Sequence, residues 1–336
     1  AAVISNYMLG AKSGWDRGFD VFDDDLEDQE QVRNWPERIA ENATDRSLEL
    51  LKRYHKDPLF MWIHYQDPHG PYTPPGGFAA EFRDPGQKPR RLPVNQSLSG
   101  QGGIPSYQKL DDNVDYYDYV ARYDGEIKYF DQNFHRLIEG LKELGLYDQA
   151  LIIFTADHGE GMGENNYYFA HGENLHRSLL HVPLMVKYGG DLLGRRSDYV
   201  QHLDVVPTIL KFLGLETDAP YRGFDLLAEP PGPREIFAEM NSPIAKDRVS
   251  YSLINNKCKV IYAPLSKRVQ LFDLSRDPQE TNDLAEEAQY RQQGLELLAQ
   301  MNRISREDRL NLGIVNQSVP LSEAEKEKLR SLGYIR

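Results

Sequence analysis

The run Phe154-Thr155-Ala156-Asp157-His158-Gly159-Glu160 sets a carboxylate beside an imidazole at the end of an apolar stretch, with Gly159, Gly161 and Gly163 close behind. Such a pair offers two donors to a divalent cation, and neither completes a site alone. In open α/β sheets ligands bind just past the carboxyl ends of strands, where Asp157 and His158 fall. The glycines let the backbone turn there without side-chain hindrance. An Asp capping the next helix beside a solvated His is the other reading. A second constellation, Tyr65-Gln66-Asp67-Pro68-His69-Gly70-Pro71-Tyr72, also follows an apolar run. Its prolines fix φ and stiffen the loop that presents His69. A rigid imidazole can donate to an anionic substrate or protonate a leaving group; an incidental His in a proline-rich turn is the alternative. Third comes Ala170-His171-Gly172-Glu173-Asn174-Leu175-His176-Arg177, in which His171 reads as the most accessible imidazole. His176, Arg177 and His181 are expected to cap or line a helix surface, and His55, His64, His135 and His202 to be structural.

These residues need elements to hold them. Val3 to Ser5 reads as a short strand before a Gly-rich turn, Gly14 to Gly18. Pro36 to Tyr54 reads as a helix with Pro36 in its first turn and Ile39, Ala43, Leu48, Leu51 and Tyr54 on one face. Leu59 to Tyr65 and Ala150 to Thr155 are continuous apolar runs that suit strands buried on both faces. Val182 to Val186 is a further strand candidate. Gly76 to Ser106, without periodicity, is a long loop of the kind that covers a binding site. A long helix is expected from Tyr119 to Gly145 on the spacing of Tyr123, Ile127, Phe130, Phe134, Leu137, Ile138 and Leu141. Asp204 can cap a helix that stops at Gly214. Beyond Pro230-Pro231, short runs at 235–238, 249–254, 259–262 and 270–273 predict a small antiparallel sheet. The stretches Glu286 to Arg303 and Ser322 to Leu332 read as exposed helices.

Composition narrows the class. The 336 residues carry 39 Lys and Arg against 52 Asp and Glu, a net charge of −13. A nucleic-acid binder normally shows a basic surplus, so that class is demoted. Mean hydropathy is −0.62, and no apolar stretch is long enough to span a bilayer. A single cysteine, Cys258, rules out an internal disulfide. The opening Ala1-Ala2-Val3-Ile4-Ser5 reads as the middle of a strand, so a preceding segment of a longer protein is expected.

Asp67-Pro68-His69-Gly70-Pro71-Tyr72, the Tyr123-Asp124-Gly125-Glu126-Ile127 helix, Phe154 to Glu160, His171-Gly172 and Asp204-Val205-Val206-Pro207-Thr208 come in the order found in the sulfatase family of the alkaline-phosphatase-like superfamily. Leu271 to Glu280 resembles that family's C-terminal signature, and Gly14 to Asp20 a segment near its second or third strand. The resemblance implies an α/β/α sandwich with a mostly parallel central sheet over 1–229 and an antiparallel-sheet subdomain with terminal helices over 230–336. It implies a sulfuric-ester hydrolase acting on a small-molecule or glycan sulfate ester, with a periplasmic or extracellular location favoured. Asp157 and His158 match the second pair of metal ligands. Calcium is the usual ion, and the imidazole keeps magnesium, manganese or zinc open. His69 and His171 match the residues that contact the sulfate, His171 near the leaving oxygen.

The departures weigh as much. The family nucleophile, the Cys or Ser of Cys-x-Pro-Ser-Arg whose oxidised formylglycine form attacks sulfur, has no counterpart in this sequence. Cys258 sits in the predicted C-terminal sheet and reads as structural or incidental. The family's first Asp-Asp metal pair is also missing. Asp23-Asp24-Asp25 and Asp111-Asp112 read as exposed acidic turns. A phosphoester or phosphonate hydrolase of the same superfamily, or a non-catalytic sulfatase-like binding protein, remain the alternative expectations.

Overall fold

A computed structural model of the chain describes residues 1–30, 34–189, 194–219, 221–229, 232–241, 249–255 and 257–311. Pro230 and Pro231, where the sequence places its domain boundary, and the predicted helix from Ser322 to Leu332 lie outside these residues. The chain divides into two compact units. One holds Ala1–Ala150 with two short returns at Asn166–Phe169 and Tyr188–Gly190; the other holds the remainder.

In the first unit, β1 (Ala2–Val3) lies between β2 (Phe22–Asp23) and a strand at Trp62–Ile63, parallel to both. Ala2, Val3 and Ile4 are fully buried. The Leu59–Tyr65 run was expected to be buried on both faces, yet only Trp62 and Ile63 pair, and Phe60 is exposed. Among the described residues the strand pairs only with β1, and Trp62 and Ile63 are half-buried. Asp23 corrects the exposed-turn expectation. It ends β2 with its carboxylate bonded to Arg38 and Arg46. Burial would push that carboxyl up, but the hydrogen bonds from Arg46 and Arg38 outweigh it and hold it below the usual range.

Pro36 also departs from expectation. Pro36–Glu37 pairs antiparallel with Asp28–Gln29, and helix α1 (Ala40–Tyr54) starts only afterwards. Its buried face is Ala40, Ala43, Thr44, Ser47, Leu50 and Leu51, so two hydroxyl residues join the apolar stripe. They can be buried because their Oγ atoms donate to backbone carbonyls, Ser47 to Ala43 at 2.7 Å and Thr44 to Asn133 at 3.2 Å. Helix α2 (Tyr116–Glu143) begins three residues before Tyr119 because Asp115 caps it, accepting from the Tyr117 N–H. Ile127, expected inside, is exposed, while Glu126, Tyr129 and Asn133 are buried. The buried stripe is therefore partly polar, which hydrophobic spacing cannot show. Most of Gly76 to Ser106 is loop, with a 3-10 turn at Phe78–Phe82.

In the second unit, β3 (Ile152–Thr155) pairs with β4 (Leu184–Lys187), and the pair is antiparallel. Helix α3 (Arg177–Leu180) precedes β4, and α4 (Val205–Phe212) follows it. Asp204 was expected as a helix cap. Its carboxylate instead takes a two-pronged contact from Arg234, at 2.8 and 3.0 Å, and accepts the N–H groups of Phe224 and Gln201. The C-terminal strands β5 (Glu235–Asn241), β6 (Val249–Asn255), β7 (Cys258–Ala263) and β8 (Arg268–Asp273) form an antiparallel meander, as the sequence predicts. Helix α5 (Arg291–Asn311) is not simply exposed. Leu297, Met301 and Ile304 recur at helical spacing and pack on Leu253, Val260 and Leu271 of the sheet. Cys258 is half-buried at the start of β7, Gln293 donates to its Sγ, and burial pushes the thiol up. Among the described residues no helix is long and apolar enough to cross a membrane.

A buried ionic hub ties this sheet to α3. Glu280 accepts from Lys259 Nζ at 2.7 Å, from the Arg177 N–H at 3.0 Å, and lies 3.0 Å from His176 Nδ1. Glu280 and Lys259 are only 2% and 1% exposed, and His176, expected on a helix surface, is buried with them. Burial alone would raise the Glu280 pKa, but its donors hold it down. Replacing Glu280 by Ala leaves Lys259 as a buried unpaired cation, and the expected loss is about 3–5 kcal/mol in urea unfolding. Adding Lys259→Met should recover part of that loss. Additive losses from the two changes would contradict the hub.

Candidate active site

Strand β3 delivers Asp157 and His158 into a turn whose shape depends on one glycine. The Gly159 N–H donates to the Leu179 carbonyl at 2.8 Å, and a Cβ at position 159 would lie 2.0 Å from the Ser178 carbonyl oxygen. Only glycine allows that approach of turn and helix. The Asp157 side chain is 80% exposed, and its Oδ1 accepts the His158 N–H at 2.9 Å. His158 Nδ1 lies 2.9 Å from the Gly159 carbonyl oxygen. A carbonyl can only accept, so Nδ1 carries the proton and the Nε2 lone pair points elsewhere. Nε2 stands 3.6 Å from Asp157 Oδ2.

His171 completes the cluster. Its ring stacks on that of His158, with centroids 4.2 Å apart and planes inclined by 29°. Burial first, and the neighbouring His171 second, push the His158 imidazole below its usual pKa against the pull of Asp157. At neutral pH His158 is therefore uncharged, the form that ligates a metal. His171, expected to be the most accessible imidazole, is instead buried, with Nδ1 3.4 Å from the Glu160 carboxylate. Glu160 is a partner that the motif alone does not assign a role. The signal was its position, two residues after His158 in the same turn. His202, expected to be structural, braces this turn directly, with Nε2 2.9 Å from the Ala156 carbonyl oxygen. The structure thus brings Asp157, His158 and His171 together. Among the described residues no group of three or more His, Cys, Asp or Glu is arranged to hold a metal. The donor set fits two ligands of a divalent cation: an accessible carboxylate oxygen and an imidazole whose outer nitrogen is unprotonated.

His69 lies in the other unit. Its N–H donates to the Gln66 carbonyl at 2.8 Å, and the next residue, Gly70, packs so tightly that a Cβ would meet the Gln108 amide at 1.9 Å. Tyr72, fully buried, sets its ring edge-on to Tyr123 at 5.2 Å. Asp67 and Glu126 form a buried carboxyl pair beneath this loop, and Glu126 also accepts the Thr73 N–H. Burial and the charge of Asp67 push Glu126 up to about 9, so it is protonated at neutral pH and can donate to Asp67. This pairing is not legible from residue spacing, because the partners are 59 positions apart (67 and 126) on different elements.

The pair has a pH signature. The Glu126 value in the folded chain lies above its ordinary 4.5, so the folded chain holds more protons than the unfolded one up to about 9. Stability from this source is complete below the ordinary value and is lost as pH rises through that window. Urea unfolding of the wild type should show this decline, and Glu126→Gln should flatten it. An unchanged slope in the variant would contradict the protonated pair.

The sulfatase family model matches residues 4–215. An arylsulfatase of Clostridium perfringens is 25% identical over 269 residues, 74% of this chain and 54% of the relative. The chain spans about half the length of the curated relatives it matches. Among solved structures, one captured with its substrate D-glucosamine-2-N,6-O-disulfate aligns with a TM-score of 0.65 at 17% identity, covering 83% of this chain and 71% of the other. A phosphonate monoester hydrolase of Agrobacterium radiobacter aligns with a TM-score of 0.61 at 21% identity, covering 81% and 62%. At such identities the structural likeness speaks for the alkaline-phosphatase-like fold, whose mixed α/β body with a parallel sheet and whose C-terminal antiparallel sheet are both present here. The family match, over more than half of the chain, carries the rest: this chain belongs to the sulfatase family.

Proposed function

We propose that the chain carries part of the metal- and substrate-binding machinery of a sulfuric-ester hydrolase. The observation that carries this reading is the Asp157-His158-His171 cluster. It joins a carboxylate, a neutral imidazole with its outer lone pair free of a proton, and a second imidazole oriented by Glu160. Asp157 and His158 would hold a divalent cation, calcium by family habit. When bound, such an ion offsets negative charge on a sulfuryl group. His171, oriented by Glu160, acts on the sulfate ester as a donor toward the leaving oxygen. The family resemblance gives His69, held within its own unit by Gly70 and the Glu126 anchor, the role of a sulfate donor. A preformed donor of this kind acts where charge develops. The proposal keeps the division into a catalytic body over 1–229 and a C-terminal subdomain over 230–336.

The substrate class follows from the relatives, an arylsulfatase and a structure holding a sulfated glucosamine, which support sulfate esters including glycans. A phosphoester or phosphonate substrate is the second reading, favoured by the imidazole at the metal position and the phosphonate hydrolase likeness. No residue of this chain matches the family nucleophile, so the chain alone is expected to bind and not to turn over.

Calorimetric titration with calcium and then with phenyl sulfate tests this. Asp157→Asn should weaken the metal by about tenfold or more, as loss of a charged ligand does. His171→Ala should weaken phenyl sulfate and leave calcium nearly unchanged. Appreciable phenyl sulfate hydrolysis by the chain alone, or calcium binding indifferent to Asp157, would contradict the assignment. Tighter binding of phenylphosphonate than of phenyl sulfate would favour the second reading.

A further inference from the structure

Asp157 and His158 sit between two fixed points on the chain. Strand β3 ends at Thr155, and the turn that follows runs from Ala156 to Gly159. At its far end the Gly159 N–H donates to the Leu179 carbonyl at 2.8 Å. At its near end the Ala156 carbonyl oxygen lies 2.9 Å from His202 Nε2. A carbonyl only accepts, so Nε2 carries a proton and donates it. Thr155 Oγ1 reaches the same oxygen at 3.3 Å and stands 3.4 Å from that Nε2. Between these points Asp157 has little else to aim it. Its side chain is 80% exposed, and apart from His158 nothing among the described residues holds its carboxylate. The direction of its Cα–Cβ bond is therefore set by the planar peptide joining Ala156 to Asp157, and His202 grips that plane by its oxygen.

His202 can serve as a fixed point because its own backbone is clamped. It opens a 3-10 turn, His202–Asp204, ahead of α4. The fully buried Asp204 carboxylate accepts the Gln201 N–H at 2.8 Å and the Phe224 N–H at 2.9 Å, and takes both prongs of Arg234. A Cβ at Gly223 would lie 1.7 Å from the Leu203 carbonyl oxygen, so the chain there is pressed directly against this turn. Arg234 stands one residue before β5, so a line of contacts runs from the C-terminal sheet through Asp204 and His202 to the peptide before Asp157. The imidazole itself is exposed. What it adds is one directed hydrogen bond and little buried surface.

We propose that His202 is a positioning residue for the Asp157-His158 pair, a role that rests on the metal-binding assignment of that pair. It holds the peptide before Asp157 so that the carboxylate and His158 Nε2 can meet one cation together. Metal sites depend on such supporting contacts as well as on the ligands themselves. The effect is geometric, so it is read in affinity.

The test uses the full 336-residue chain with calcium as the probe, read by calorimetry, amide NMR and urea unfolding. His202→Ala should weaken calcium about fivefold, the scale of one ordinary hydrogen bond. It should leave the urea midpoint nearly unchanged, because the ring is exposed. His202→Gln keeps a side-chain N–H donor and should restore most of the loss. Without calcium, His202→Ala should move the Asp157 amide resonance, and His202→Gln should move it less. Unchanged calcium affinity in His202→Ala, a loss that His202→Gln does not reduce, or a loss matched by a fall in the urea midpoint overturns the positioning role. If the wild-type chain binds no calcium, or Asp157→Asn binds it equally well, the metal assignment falls and the Asp157 amide alone judges His202. A shift in His202→Ala that His202→Gln reverses then keeps its hold on the turn, and no shift removes it.

Discussion

Two imidazoles stacked 4.2 Å apart cannot both hold an extra proton without strong repulsion, and that constraint orders the candidate site. His158 is the one kept neutral, by burial and by His171. The Gly159 carbonyl then fixes its tautomer and leaves Nε2 unprotonated beside Asp157. His171 is oriented from its other side by Glu160. One turn of chain, from Asp157 to Glu160, thus supplies a ligand pair and the group that aims the neighbouring donor.

That turn is only as well placed as the backbone against which it rests. Gly159 sits on α3 at a distance no side chain would permit. The first residue of α3 is tied by its N–H to Glu280, whose carboxylate also gathers Lys259 and His176 from the C-terminal sheet and the His171 segment. The C-terminal meander is therefore not an appendage to this site. Its buried charge sits where a break would be felt through α3 at His158. A comparable logic holds in the first unit, where Glu126 reaches from α2 to both flanks of the His69 loop.

Much of this was legible in the sequence, and the exceptions share a cause. The meander strands, the extent of α2, the turn after Thr155 and the family itself follow from apolar runs, caps and ordered motifs. What escaped was polar burial. Thr44 and Ser47 sit inside α1's contact face, Glu126 and Asn133 inside α2's, and His176 and Glu280 inside the second unit. Each is buried because a specific partner satisfies it, and those partners lie far away in sequence or in the backbone. Asp23 misled for the same reason: three successive aspartates look solvated until Arg38 and Arg46 arrive. Pro36 misled differently, since its fixed φ suits a strand edge as well as a first helical turn.

His158 is thus a neutral imidazole protonated at Nδ1, stacked on His171, with Nε2 left to ligate a metal. Nitrogen NMR of the histidine side chains reads this directly in the chain without added metal. At neutral pH His158 should show a protonated Nδ1 and an unprotonated Nε2, and calcium should shift the Nε2 resonance while Nδ1 keeps its proton. A His158 protonated at Nε2, or one whose resonances ignore the metal, would contradict it.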